Sequence, residues 1–256
     1  MYPDNDEYRL IFNQRAGSYH QAMIDCPFAR DPEFQAMAEF AAVMPGDRVC
    51  DMPSGGGYLN RFLDPDADII SIETSYEFAN LAPPRGNRNI LLCEFDNIPL
   101  ASDSIDKIIC LAALHHVIDK QPFFNEAFRI IKPGGTLCLA DVQKGSGIVD
   151  FLDIFVDQHN SMGHQGHYLD ENSGTELQNA GFSPVAAVSK DYGWRFDSLP
   201  EMGRFCKMLF GIDQAGEDVV LEGIRNYLGT GQDGRIWYLN WGLYFLKAEK
   251  PARTGT

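Results

Sequence analysis

The sequence predicts a doubly wound α/β fold, a mostly parallel sheet with helices on both faces, and three observations carry that prediction. Short apolar runs recur at Arg48–Met52, Asp68–Ile72, Asn89–Cys93, Lys107–Leu111 and Thr136–Ala140. Stretches long enough for a helix lie between several of them, and this alternation indicates a parallel sheet covered on both sides. Pro and Gly punctuate the boundaries, as in Pro45-Gly46-Asp47 and Lys132-Pro133-Gly134-Gly135.

Ahead of the first run, Phe34, Met37, Ala38, Ala41 and Met44 fall at roughly helical spacing. They predict a helix over Glu33–Met44, started at Asp31-Pro32 and stopped by Pro45-Gly46. The clearest helix between strands is Phe123–Ile131. After Asp141 the pattern changes. Gly145-Ser146-Gly147 opens a helical stretch over Ile148–Asn160, followed by a Gly- and His-rich run at 161–167. Thr175–Ala180 reads as a helix ended by Gly181, and Pro184–Ser189 as a strand. Residues 191–235 read as an irregular and helical insert. Trp237–Leu246 reads as a last strand at or near the sheet edge, and 250–256 as a disordered tail. The whole is one domain, with a core over about 30–190 plus a last strand at 236–249, capped by 1–30, 145–170 and 191–235.

Composition narrows the function classes. The chain has 256 residues, 45% hydrophobic and 22% charged, which suits a soluble globular domain with a sizeable core. No apolar run is long enough for a membrane span. The acidic, polar start Met1–Glu7 is neither a secretory signal nor a transit peptide, so a cytoplasmic location is expected. A net charge of -15 without any basic run argues against nucleic acid as partner or substrate. The six cysteines contain no Cys-x-x-Cys pair, and Cys50, Cys93, Cys110 and Cys138, all in apolar runs, look like core residues in a reducing compartment. No set of Asp, Glu, His or Cys has metal-ligand spacing, so no metal is expected.

Three segments carry chemistry, each at the end of an expected strand. Val49-Cys50-Asp51-Met52-Pro53-Ser54-Gly55-Gly56-Gly57-Tyr58 runs from a strand into a glycine-rich turn that opens a helix. Such a turn lets backbone approach a ligand, and the helix start offers N–H groups to an anion. Glu73 ends the next strand, 22 positions after Asp51, a spacing at which a carboxylate can accept both hydroxyls of a ribose. Glu94-Phe95-Asp96-Asn97-Ile98-Pro99 follows the third strand, where a carboxylate and a ring could bound an adenine.

These segments, with Ser104-Ile105-Asp106, Leu114-His115-His116-Val117 and Arg129-Ile130-Ile131-Lys132-Pro133-Gly134-Gly135, resemble the class I S-adenosylmethionine-dependent methyltransferases. The nearest branch is the ubiquinone/menaquinone-type group acting on small molecules. The resemblance covers residues 10 to about 190. It implies a Rossmann-like, seven-stranded sheet, S-adenosyl-L-methionine as cofactor and S-adenosyl-L-homocysteine as product. It implies that Asp51, Pro53, Ser54 and Gly55 pass under the methionine part, that Glu73 holds the ribose and that Thr74 flanks the adenine. Glu94, Phe95 and Asp96 would bound the adenine edge, and Leu111 and Ala112 would line the pocket. Arg15-Ala16-Gly17-Ser18-Tyr19 is similar to the family's N-terminal segment, which places Tyr19 over the cofactor. Pro53 departs from the family's usual glycine and removes one backbone N–H from the turn.

An acceptor that must lose a proton calls for a base, and His suits that task. His115 is the first candidate catalytic residue, paired with Tyr19; packing or helix capping is the alternative for either neighbouring histidine. His164 and His167 could line a lid or form half a metal site without matching partners, but a solvent loop is the plainer reading. The aromatics of the last third either fill the core or cap an apolar or aromatic acceptor. The expected partner is therefore a small-molecule methyl acceptor, with a homodimer left open. A methyltransferase-fold protein doing non-methylating chemistry, or serving as a non-catalytic partner subunit, is the other reading.

Overall fold

The computed structural model describes residues 6–81 and 89–253. Its strands are β1 (Arg48–Asp51), β2 (Asp68–Glu73), β3 (Asn89–Leu92), β4 (Ile105–Leu111), β5 (Ile131–Asp141), β6 (Val185–Phe196), β7 (Thr230–Asp233) and β8 (Ile236–Glu249). Seven of them line up in the order β3-β2-β1-β4-β5-β8-β6, and the short β7 pairs with β8. Pairing is parallel from β3 through β5, and β8 runs antiparallel to β5, β6 and β7. The α/β, Rossmann-like, mostly parallel seven-stranded sheet expected from the sequence is thus present, with β7 added beside it.

The central strands are apolar on both faces because both faces are covered. Val49 and Cys50 of β1, Ile70 and Ile72 of β2, and Ile108 and Ile109 of β4 are all buried. Strand order reverses between β1 and its two neighbours β2 and β4. Such a switch point opens a crevice at the carboxyl ends of the strands.

Helix α1 (Asp6–Asp25) packs beside that crevice, its Tyr8 ring near Phe95 and its Phe12 ring near His116. Tyr8, Phe12 and Ala16, four residues apart, are buried along one stripe of it. Helix α2 (Asp31–Ala41) ends three residues before the expected Met44, because Ala42 turns left-handed at φ 48° and leaves Met44 exposed. Helix α3 (Tyr76–Leu81) follows β2, and α4 (Gln121–Ile130) precedes β5. The glycine-rich turn leads only into a four-residue 3-10 helix, Leu59–Phe62, rather than a full helix. The expected helix start therefore offers no extended dipole there.

In the C-terminal third β8 lies near the sheet edge as expected, one strand in: it sits between β5 and the edge strand β6, which explains why Leu239, Leu243, Phe245 and Ala248 are buried. The insert differs from expectation, beginning only after residue 196. Tyr192 to Phe196 continue β6, pairing in register with Trp241 to Trp237. Helices Leu199–Leu209 and Glu217–Tyr227 then cover that end. The tail is also tied down further than expected, since Lys250 Nζ lies 2.6 Å from Asp103 and Arg253 pairs with the same carboxylate. Residues 254–256, and Met1–Asn5 at the start, lie outside the described residues. Among the described residues no helix is long and apolar enough to cross a membrane.

The helix Leu199–Leu209 illustrates a local stop-and-start signal. Ser198 caps it by accepting from the Glu201 N–H, while the Glu201 side chain accepts from the Asp197 N–H. Ser198→Ala should cost about 1 kcal/mol of stability in urea unfolding; an unchanged midpoint would show that the cap contributes nothing.

Candidate cofactor and acceptor site

At the carboxyl end of β1 the chain turns through Asp51-Met52-Pro53-Ser54 into three successive glycines. Gly55, Gly56 and Gly57 have φ of 54°, 105° and 70°, so the turn needs residues without a Cβ. At Gly56 an added Cβ would also lie 2.8 Å from the Tyr58 ring. Asp51, Pro53 and Ser54 are buried at this turn, and Gly55 is half-buried.

Glu73, at the end of β2, is 1% exposed. Its Oε1 accepts from the Ser54 hydroxyl at 3.2 Å and from the Gly55 N–H. Its Oε2 is buried and has no hydrogen-bond partner among the described residues, and the same holds for Thr74 Oγ1. Burial pushes the Glu73 carboxyl up to about 8. The Gly55 and Ser54 hydrogen bonds pull the other way, and the Asp51 charge adds to the rise. A buried acceptor oxygen without a donor is what a ligand bringing hydroxyl donors would satisfy. The residues present therefore fit the ribose of an adenosyl group.

Beyond β3 the three expected residues separate. Phe95 is buried against Phe123 and Tyr8. Glu94 is half-exposed and pairs with Arg9 at 3.1 Å, and Asp96 is exposed. Over this region lies α1. Its Tyr8 and Phe12 rings sit 6.0 Å and 5.5 Å from His116, and Phe12 is 5.2 Å from Phe78. Burial raises the Tyr8 phenol well above its ordinary range, and the Glu73 charge adds to this.

On the other side of the switch point, a cavity of about 70 Å³ opens between the end of β4 and the C-terminal helices. Tyr19, Ala112, His115, His116 and His164 line one side, and Trp194, Phe210 and Trp241 the other. Ala112 has φ 51°, a left-handed conformation uncommon for a residue with a Cβ, at the point where β4 turns into the site. Leu111, one residue earlier, is half-buried at the strand end.

His115 Nδ1 is 2.7 Å from Asp141 Oδ1. Asp141, at the end of β5, is fixed in turn by backbone N–H groups of Ala113, His115 and Val142. Burial alone would raise its carboxyl, but His115 and those donors outweigh it and hold Asp141 below the usual range. An ionised Asp141 accepts the Nδ1 proton of His115 and leaves the Nε2 lone pair free.

Tyr19 lines the same cavity, but its hydroxyl accepts from Arg30 rather than meeting His115. Arg30 is paired with the buried Glu33, whose other oxygen accepts from Trp194 Nε1 at 3.0 Å. The solvent-loop expectation holds for His167, which is exposed, and fails for His164. The His164 side chain is 6% exposed because Asp153 draws its Nδ1 inward at 3.0 Å. The side chains of the last third divide between core and cavity wall. Phe205 is core, whereas Leu209, Phe210 and Trp241 border the cavity, and Trp194 does both. Asp141, Asp153 and Arg30 were not among the expected site residues; of these only Asp141, ending an apolar run as Asp51 does, left a signal in the sequence.

Comparison with known proteins agrees with this geometry. Residues 50–139 match a family model described as a methyltransferase domain. An arsenite methyltransferase of Halobacterium salinarum is 26% identical over 170 residues, 62% of this chain and 43% of that protein. A demethylmenaquinone methyltransferase of Tropheryma whipplei is 27% identical over 146 residues, 53% of this chain and 59% of its own length. The chain thus spans about half the length of the curated relatives it matches. Among solved structures, the cyclase SpnF superposes with a TM-score of 0.66 at 16% identity, over 98% of this chain and 97% of that one. A phosphoethanolamine N-methyltransferase of Haemonchus contortus, solved with S-adenosylhomocysteine, gives 0.62 at 14% identity, over 98% of this chain and 60% of that one. These two likenesses concern the fold. The family match over 50–139 and the sheet order around it agree with a methyltransferase domain of Rossmann-like fold.

Proposed function

We propose that the protein transfers the methyl group of S-adenosyl-L-methionine to a small apolar or aromatic metabolite held in the cavity beside His115. The observation that carries this is the buried Glu73, one oxygen stapled to the glycine turn and the other without a donor, at the switch point next to that cavity. In this reading the Asp51–Gly57 turn carries the methionine part, Glu73 takes the ribose hydroxyls, and Thr74 flanks the adenine. Phe95 forms an apolar wall to the ring, with Glu94 and Asp96 at its outer edge. The bound cofactor supplies a methyl group on a sulfonium, transferred by in-line displacement. The chain's own task is alignment and exclusion of water. The aromatic side of the cavity packs the acceptor, and His115, oriented by Asp141, takes a proton from an acceptor that must lose one. Tyr19 is held by Arg30 as part of the cavity wall.

The two relatives are named for arsenite in one case and demethylmenaquinone in the other. The ubiquinone/menaquinone-type branch is supported by the second and by the aromatic cavity, but the acceptor is assigned by class alone.

The test is calorimetric titration of the purified chain with S-adenosylmethionine, S-adenosylhomocysteine and NAD. Both sulfur ligands should bind and NAD should not. Absence of binding by either sulfur ligand would overturn the proposal. Binding without turnover on any aromatic or apolar acceptor would move the chain to the non-methylating or partner-subunit reading.

A further inference from the structure

Three imidazoles converge at the wall of the cavity. His115 and His116 come from the short turn Leu114–His116 after β4, and His164 from the glycine-rich loop far along the chain. One nitrogen of each lies within 4.8 Å of the others. The rings are packed together, with centroids 4.1 Å, 5.8 Å and 5.5 Å apart for the pairs 115–116, 115–164 and 116–164.

Two of the three hold a carboxylate on Nδ1, which leaves Nε2 as the nitrogen for a ligand. His115 Nδ1 meets Asp141, and His164 Nδ1 meets Asp153 at 3.0 Å. Asp153 is itself anchored by the Gly166 N–H and the Tyr168 hydroxyl, and it sits in the π-helical turn Phe151–Val156. A carboxylate on the far nitrogen is the usual outer support of a metal-binding imidazole, because it fixes the tautomer and raises the basicity of the inner nitrogen. A general base needs one such imidazole. Here a second carries the same support, and a third stands against both.

We propose that His115, His116 and His164 bind a divalent first-row transition ion such as Zn²⁺, with a fourth position open to the cavity. Three imidazoles without a carboxylate ligand suit Zn²⁺, Co²⁺ or Fe²⁺ and not Mg²⁺ or Ca²⁺, which take oxygen. Nitrogens on a tetrahedral ion at 2.0–2.1 Å stand about 3.3 Å apart, so the rings close by roughly an ångström on loading. The charges of Asp141 and Asp153 balance the ion. Arg15, which lines the same cavity and donates to the Leu209 carbonyl at 2.8 Å, opposes it. The chemical use of the ion rests on the proposed methyl transfer. An acceptor hydroxyl on the fourth position would release its proton to water more readily and attack as the anion, relieving His115 of that task. The binding itself does not depend on that reading.

The test uses the full chain after chelator treatment, titrated with Co²⁺ and then Zn²⁺. We expect one Co²⁺ per chain with the strong visible absorption of four-coordinate cobalt, displaced by Zn²⁺. His164→Ala should abolish that spectrum, and Asp153→Asn should weaken binding by about 10–100-fold. His167→Ala, an exposed neighbour, should change nothing. Circular dichroism confirms that each variant is folded, and Asp153→Asn keeps the test decisive should His164→Ala not fold. Absence of Co²⁺ binding, or binding equal in wild type, His164→Ala and Asp153→Asn, would overturn the proposal. S-adenosylhomocysteine titration of the same metal-free protein separates the two readings: cofactor binding without metal binding sinks only the metal site, and the converse sinks only the methyl transfer.

Discussion

Glu73→Ala should weaken S-adenosylhomocysteine binding by about 100-fold in calorimetric titration. The proposed ribose brings two hydroxyl donors to this carboxylate, and hydrogen bonds to a charged group are worth about 1.5–3 kcal/mol each. Losing about 3 kcal/mol corresponds to roughly two orders of magnitude in affinity. The same residue sets a pH dependence in the free protein. Its folded carboxyl is raised to about 8 from an ordinary 4.5. The folded state therefore holds a proton that the unfolded chain releases, and the stabilisation is fully present below the unfolded value. It is lost as pH rises through about 8. Urea unfolding of the wild type should accordingly show falling stability between about pH 5 and 8, a slope that Glu73→Gln removes. Identical slopes in the two proteins would mean that Glu73 is ionised in the free fold. Because the ribose hydroxyls donate, the ionised form binds them, and ligand binding near neutral pH should release a proton, measurable by repeating the titration in buffers of different ionisation enthalpy.

His115→Ala should lower kcat by about 10²–10⁴-fold while leaving S-adenosylhomocysteine affinity within about threefold. The ring faces the acceptor cavity, whereas the proposed cofactor contacts come from β1, β2 and the segment after β3. His115→Gln should not rescue turnover, since an amide neither takes the proton nor serves as an imidazole ligand. A kcat within about threefold of wild type would remove His115 from the reaction under either description of its role. Asp141→Asn is the less direct probe, because Asp141 also accepts from the Ala113, His115 and Val142 N–H groups.

What could be read from the sequence follows a physical division. The strands from β1 to β5 were legible because they are buried on both faces, which forces short continuous apolar runs, and because Pro and Gly end the intervening helices. Asp51, Glu73 and Phe95 were legible because each sits at the end of such a run. Helix α1 was not, since its buried stripe of Tyr8, Phe12 and Ala16 is sparse among polar residues. The insertion of β8 between β5 and β6 was not legible either. Both strands read correctly as strands, but which one lies at the edge depends on tertiary pairing. The histidine cluster lay beyond reach for another reason. His115 and His164 are brought together by the helix at 147–159 and the loop after it, so no spacing rule links them. The Asp153 contact that turns His164 inward is likewise invisible until the chain is folded.

Helix α1 has a kinetic consequence. In the proposed function Tyr8 and Phe12, packed against Phe95, Phe78 and His116, cover the way to the buried Glu73, and a ligand reaching that carboxylate would wait for the helix to swing aside. The observed association rate should then level off at high ligand concentration, at the opening rate of the helix. The measured affinity should fall short of the open form's affinity by the fraction of molecules open at any moment. On that reading the helix that would exclude water from the reaction competes with the cofactor for the same apolar surface.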